Sequence, residues 1–291
     1  MDYLLHLVVM VLIFASLTAS LDLMIGHAGI LSFAHASFYG VGAYATAILT
    51  VYAGLDWFPA MILAFVIGAL AAALIGIPTL RLGGDYFILA LFGFTLIVTS
   101  LIINMEWLTN GPFGIRGVPR PSIGKLQVPS GFGMVAFTAA VVALIFFVHW
   151  RFVTSPMRAA LHAIRDDEAV AMALGIDVVR TKIVVFALGG GFAALTGALA
   201  AFYFRFVTAE SYGLPTIILL WAMLFVGGNC SLWGALVGPA VLMLFPEIFR
   251  FVGGQGWDIA HIQEAMYGLL LILLMMFRPQ GLVGARVGMR A

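Results

Sequence analysis

Nine apolar runs, each about as long as a bilayer is thick, follow one another along the chain, at 3–24, 29–53, 58–80, 86–104, 132–150, 183–206, 213–228, 232–252 and 262–277. About 20 mostly apolar residues in helical form cross the hydrocarbon core. Lipid offers no partner to a backbone N–H or C=O, so each run must close its hydrogen bonds within itself. The expected fold is an all-α integral membrane protein, a polytopic helical bundle of about 8–10 transmembrane helices forming one domain over 1–291. The second run is expected to be broken or re-entrant. Gly26, Gly29, Gly40 and Gly42 punctuate it, and His27 and His35 stand in the same stretch. Backbone of that kind is tolerated at membrane depth only where protein or a water-filled cavity covers it.

Charge supports the same class. Asp, Glu, Lys and Arg make up 9% of the residues, where a soluble domain carries about 25%. The surface this leaves suits membrane lipid. The formal net charge is +1, so there is no basic excess to attract nucleic acid. Cys230 is the single cysteine, which excludes an intrachain disulfide and a multi-cysteine metal site. MDYLLHLVVM has no Lys or Arg ahead of the apolar run and no small-residue cleavage site, so the first run is expected to stay as a membrane helix.

The charges are unevenly placed. Arg151 to Lys182 holds nine of the 27, with IRDDEAVAMALGIDVVRTK at its centre. Cytoplasmic loops carry the excess of Lys and Arg. With Arg151–Lys182 inside, Arg81, Arg278, Arg286 and Arg290 fall on the same side, giving nine basic residues there. Arg116, Arg120 and Lys125 lie outside, in a Gly- and Pro-rich loop at about 105–131 that is expected to be ordered. The N-terminus is then outside and the C-terminus inside.

Two helices carry a small-residue face. Ala60, Ala64, Gly68, Ala72 and Gly76 recur every four residues, as do Gly189, Ala193, Gly197 and Ala201. Small faces let membrane helices approach closely, so Gly68, Gly76, Gly189 and Gly197 are predicted packing positions. The period alone leaves open whether they pack within the chain or across a dimer.

No catalytic constellation is visible. GxxxxGK[ST], HExxH and GxSxG are all absent, so the chain is expected to be neither an enzyme nor a binder of ATP by that loop, and to hold no metal and no cofactor of its own. Asp22 and Glu247 are the most membrane-embedded acids, and their places near predicted helix ends suggest capping or interfacial roles. His35, with Ser32 and Tyr44, is a candidate for a polar path through the bundle. Hydrogen bonding to a neighbouring helix is the other reading of His35.

Arg165, Asp166, Asp167, Glu168 and Ala169 read as a helix start, with acids where the macrodipole favours them. A short helix follows to Leu174, Gly175 stops it, and Ile176-Asp177 restarts the chain toward the next run. Residues 165–175 are thus predicted to form one short helix. Its apolar side, Val170, Ala173 and Leu174, suits a groove in a partner protein. Ala169, Ala173 and Gly175 are the expected close contacts, and Arg165 and Glu168 the expected ion pairs at the rim.

This segment, with Glu168-Ala169-Val170 and the downstream Gly175, resembles the cytoplasmic coupling loop of bacterial ABC importer permeases. Gly26-His-Ala-Gly-Ile-Leu-Ser-Phe-Ala-His-Ala-Ser-Phe-Tyr-Gly-Val-Gly-Ala-Tyr44 resembles the second-helix signature of branched-chain amino acid permeases of the LivM type. Gly227-Gly-Asn-Cys-Ser-Leu-Trp-Gly-Ala-Leu-Val-Gly-Pro239 resembles that family's late glycine-rich signature, and Phe277-Arg-Pro-Gln-Gly-Leu-Val283 its closing segment. The resemblance implies the ABC importer permease fold in the bacterial inner membrane, with a coupling loop at about 152–181. It also implies a homologous LivH-type permease partner, two cytoplasmic ATPases that bind ATP and Mg, and a periplasmic substrate-binding protein. Branched-chain or other amino acids are the implied substrates, with urea or short amides as alternatives in the same family. From a different class, an ion-coupled secondary transporter would require paired intramembrane charges or a broken-helix ion site.

Overall fold

The computed structural model describes residues 2–82, 84–123, 126–253, 268, 276 and 280–283. The chain is helical almost throughout. Helix α1 spans Asp2–Asp22 and runs on into a π-helical turn, Leu23–His27. Helices α2 (His35–Val51), α3 (Trp57–Thr79) and α4 (Gly84–Asn104) follow, then a one-turn α5 (Glu106–Thr109). Helix α6 is Phe132–Val153, α7 Met157–Asp166 and α8 Glu168–Ala173. Helix α9 covers Val178–Phe204, α10 Leu214–Gly227 and α11 Leu232–Gly253. The all-α polytopic fold read from the sequence is the fold observed.

Fewer than nine full-length spans stand out among the described residues. Among the described residues five helices are long and apolar enough to cross a membrane, or six if one bent pair counts as a span. The run at 29–53 becomes helical only from His35, because Gly29 takes a positive φ and 29–34 is irregular. Helix α2 is left with 17 residues, about 26 Å at 1.5 Å per residue, short of a full hydrocarbon core. The runs at 213–228 and 232–252, expected as two separate spans, are joined in an elbow bent by 119°. Of the ninth run only residues 268 and 276 are described, and both are helical.

The elbow follows from its glycines. Gly228 at φ 104° and Cys230 at φ 60° reverse the chain. A Cβ at Gly227 would stand 2.0 Å from the Gly234 carbonyl oxygen, and one at Gly238 1.9 Å from that of Met223. The two backbones touch, which only glycine permits. The tail then closes the end of α10: Leu282 N–H donates to Val226 O at 2.9 Å and Val283 N–H to Gly227 O at 3.0 Å. These are carbonyls that a helix C-terminus leaves without partners.

Helix α9 is the centre of the bundle, with α2 and α3 on it and α1 beside it. Both small-residue faces pack within the chain. Gly68 meets Ala194 and the Gly190 carbonyl of α9, and Gly76 meets the Phe186 ring. Gly189 meets Met24 in the π-turn, and Gly197 meets the Tyr39 carbonyl of α2, where a Cβ would stand 2.0 Å away. The two faces do not meet each other: α9 turns neighbouring small residues, Gly190 and Ala194, to α3.

The segment 105–131 gathers at one end of the bundle. Its strand β1 (Ile115–Arg116) pairs antiparallel with β4 (Phe206–Val207), and β2 (Ser122–Ile123) pairs with β3 (Leu126–Gln127). Arg205 Nε donates to Val118 O at 3.2 Å, and the Trp57 indole donates to Ser122 O. His6 reaches Tyr203 at this end too. The opposite end collects the π-turn, α7, α8, the elbow and residues 280–283.

Candidate functional site

Helix α1 buries four polar residues on two of its sides. Ser16, Thr18, Ser20 and Asp22 alternate along it, all with 1% exposure or less. Ser16 and Ser20 donate back to the carbonyls of Ile13 and Leu17, each at 2.8 Å. Their oxygens also face outward: Ser16 stands 3.1 Å from Thr196 of α9, and Ser20 2.8 Å from His35 Nε2 of α2. His35 is therefore an interhelical tie between α1 and α2, while its Nδ1 has no partner. Ser32 is buried with its hydroxyl unpaired, and so are Ser37, Thr18 and the Tyr44 hydroxyl. Tyr44 lies by Tyr212, which also packs on Tyr39. Burial holds the Tyr212 hydroxyl well above its ordinary pKa, with the neighbouring tyrosines adding to the effect. His35, Ser32 and Tyr44 are thus all buried, with His35 tied to α1 and the Ser32 and Tyr44 hydroxyls without hydrogen-bond partners. Buried polar groups are ordinarily paired, and these hydroxyls are not.

At the other end of α1 lies Asp22, one of the two acids expected to cap or to sit at an interface. It lies near a helix end yet is fully buried. Helix α1 runs on past it into the π-turn, where Gly26 leaves the room: a Cβ on Gly26 would stand 2.1 Å from Asp22 Oδ1. Asp22 Oδ1 accepts the Cys230 N–H at 2.8 Å, so it caps the elbow between α10 and α11. Asp22 Oδ2 stands 3.6 Å from His27 Nε2 and 3.8 Å from His149 Nε2 of α6. His27 Nδ1 in turn lies 3.4 Å from His162 Nε2 of α7. Desolvation first, then Arg158 and Arg165, lowers the pKa of His162 and favours its neutral form. The side chain of Glu247 lies outside the described residues.

The charged segment is two helices, not one. Arg165 and Asp166 end α7, and Asp167 is extended (φ −157°). The side chain of Asp167 accepts the N–H groups of Ala169 and Val170 at 2.8 and 3.1 Å, an N-cap that starts α8 at Glu168. The acids do mark a helix start, three residues later than read, because the cap residue must itself leave helical φ/ψ. Ala171 is buried with Ile164 and Val178 in a small separate core that holds α8 on α7 and α9. The rest of α8 faces outward. Val170 is 55% exposed, Met172 58% and Leu174 71%, and Ala169, Ala173 and Gly175 are exposed around them. Gly175 turns the chain at φ 84°, with no atom within 4 Å of where a Cβ would be, so conformation and not crowding requires glycine there.

The two charges assigned to a partner's rim are used inside the chain. Arg165 donates to the Gly26 carbonyl and, at 2.9 Å, lies against Cys230 Sγ. Glu168 pairs with Lys182 at the base of α9. Arg165 is long enough to reach back across the end of the bundle, a contact between residues 139 positions apart that no local pattern encodes. His27, His149, His162 and Cys230 were likewise missed. Their signal was the rarity of ionisable groups in membrane helices, which applies to His27 and His149 as it does to Asp22.

Comparison with known proteins bears on the whole chain. Residues 3–277 match the family model described as branched-chain amino acid transport system / permease component. The high-affinity branched-chain amino acid transport system permease protein LivM of Salmonella typhimurium is 30% identical over 94% of this chain and 68% of its own length. LivM of Escherichia coli is 30% identical with the same coverage. The autoinducer 2 import system permease protein LsrC of an Enterobacter species is 27% identical over 68% of this chain and 57% of its own length. No solved structure gives a significant match. A match from the first membrane helix to beyond the elbow, over a bundle of apolar helices with buried polar groups, places this multi-pass membrane protein in the branched-chain amino acid transport system permease family.

Proposed function

We propose that this chain is the membrane-spanning permease subunit of an ABC importer in the bacterial inner membrane, carrying branched-chain or other amino acids inward. It pairs with a LivH-type permease, and two cytoplasmic ATPases supply the energy, with ATP and Mg bound on them and not on this chain. A periplasmic binding protein delivers substrate at the end that carries 105–131. The chain is not itself an enzyme: its contribution is a path and a lever.

The observation that carries this reading is α8. A six-residue helix with Val170, Met172 and Leu174 turned outward has a strong reason to be covered, since burying each such side chain is worth about 1.5–3 kcal/mol. An amphipathic helix laid into a groove is a common mode of protein recognition. The helix is also not free to swing alone. Its own small core ties it to α7 and α9, and Arg165 ties α7 to the π-turn and the elbow. Displacing α8 therefore pulls on the inner end of the bundle. ATP binding can drive such a change only if its free energy differs between the two states, and a rigid link from α8 to the bundle supplies that difference. The permease pair then rocks in alternating access.

Purification through an affinity tag on this chain tests the assignment. The ATPase subunits should come down with the wild-type chain and should be lost when Val170, Met172 and Leu174 are together replaced by Ser. Equal recovery of the ATPases with both would remove α8 as the docking helix.

A further inference from the structure

The Asp22, His27 and His149 cluster is not needed for the path or for docking. Asp22 and His149 are at most 2% exposed, as is His27, yet Asp22 Oδ2 and His149 Nε2 have no hydrogen-bond partner. Their separation of 3.8 Å is too long for a hydrogen bond, as is the 3.6 Å from Asp22 Oδ2 to His27 Nε2. Three buried polar atoms thus converge on one point without satisfying one another. One donor atom from each of the three residues lies within 4.8 Å of the other two. Ligands about 2.0–2.2 Å from a tetrahedral zinc ion stand about 3.3–3.6 Å apart, so the two Asp22–His separations are already within a few tenths of an ångström of it and the two histidines need close by at most about an ångström.

The rings are also oriented as ligands. His149 turns Nε2 toward Asp22, where it has no hydrogen-bond partner. His27 has Nδ1 against His162 and points Nε2 at Asp22. Metal-bound histidines are held in this manner, with the second ring nitrogen on a backbone or side-chain partner that fixes tautomer and direction. Arg158 and Arg165, both on α7, are the positive neighbours. They oppose a hard cation held by charge alone, whereas imidazole nitrogen suits zinc, copper, iron and nickel. His162 is only partly buried and borders a pocket lined by Val153, Thr154, Ser155, Arg158 and Ala159 at the α7 end.

We propose that Asp22, His27 and His149 bind a divalent transition-metal cation of the zinc class, and that His162 positions His27 for it. The ion would join α1, the π-turn and α6 at the end of the bundle where α7 docks. This proposal does not depend on the transported substrate or on ATPase docking.

The test is a Co²⁺ titration of the purified full-length chain in detergent, together with its partner permease if the two purify as one. Visible d–d absorption of tetrahedral type should grow to one equivalent per chain, and Zn²⁺ should abolish it. His149→Gln and His27→Gln should each remove it. His162→Gln should weaken binding by about 10–100-fold, as loss of a ligand's supporting partner does. His6→Gln, at the opposite end of the bundle, should change nothing. Zn²⁺ should also raise the melting temperature of the wild-type protein, a readout that needs no variant. The proposal is overturned by wild-type protein that gives neither absorption nor a thermal shift. It is equally overturned if absorption persists in both His149→Gln and His27→Gln, which would reveal an adventitious ion only.

Discussion

Arg165, the next-to-last residue of α7, donates to the carbonyl of Gly26 in the π-turn that ends α1, and in the same reach its guanidinium meets Cys230 at the α10–α11 elbow. One side chain on the charged arm thus holds both places where the bundle's helices break. A hydrogen bond from a charged donor is worth about 1.5–3 kcal/mol, and the aliphatic stem adds packing against Gly29.

This relationship separates docking from coupling. Arg165→Gln leaves α8 and its exposed crest in place, so the ATPases should still co-purify at wild-type yield. Transport in proteoliposomes should fall at least tenfold, and ATP hydrolysis should lose its stimulation by loaded binding protein. Uptake by Arg165→Gln within a factor of two of wild type would show that the tie is structural ornament.

Helix α8 itself should be sensitive to bulk and to backbone. Ala173→Trp adds volume to the exposed face, and Gly175→Val forces a β-branched residue to φ 84°, at about 1–3 kcal/mol. Both should abolish substrate-stimulated hydrolysis. Glu168→Gln removes a half-exposed pair with Lys182 worth about 0–1 kcal/mol, and should retain most activity. Full uptake by Ala173→Trp would sink the docking assignment.

The α2–α9 crossing makes a steric prediction. A Cβ at Gly42 would stand 2.0 Å from the Ala194 carbonyl oxygen, a backbone atom that cannot move aside alone. Gly42→Ala should lower the melting temperature, with overpacking of this kind costing about 1–3 kcal/mol. Gly93, in α4, has nothing within 4 Å of its Cβ position, so Gly93→Ala should stabilise by about 0.5–1 kcal/mol. Thermal unfolding in detergent compares the two. The same direction of shift for both would contradict the crossing.

Sidedness can be read with single cysteines in a Cys230→Ser background. Ser122 and Asp167 lie at opposite ends of the bundle. An impermeant maleimide added to spheroplasts should label Ser122→Cys and spare Asp167→Cys. The reverse pattern would invert the topology, and with it the placement of the ATPases.

Much of this protein was legible from residue order because lipid is a severe solvent. Apolar runs long enough to cross it must be helical, and the four-residue spacing of Gly68, Ala72 and Gly76 marks a face that will be packed, since these are local periodicities. The N-cap at Asp167 and the turn at Gly175 are also local, and were misplaced only where one extended residue divides α7 from α8. Tertiary structure alone decided the rest. The 17 residues of α2 and the 119° elbow follow from the irregular stretch 29–34 and from the backbone contacts at Gly227 and Gly238. The meeting of Asp22 with His27, His149 and Cys230 joins residues from four parts of the chain. Arg165 could as well have faced a partner, and it turns inward because the open carbonyl of the π-turn lies within its reach. Periodicity records which side of a helix is buried, but which buried groups face one another depends on how the helices cross.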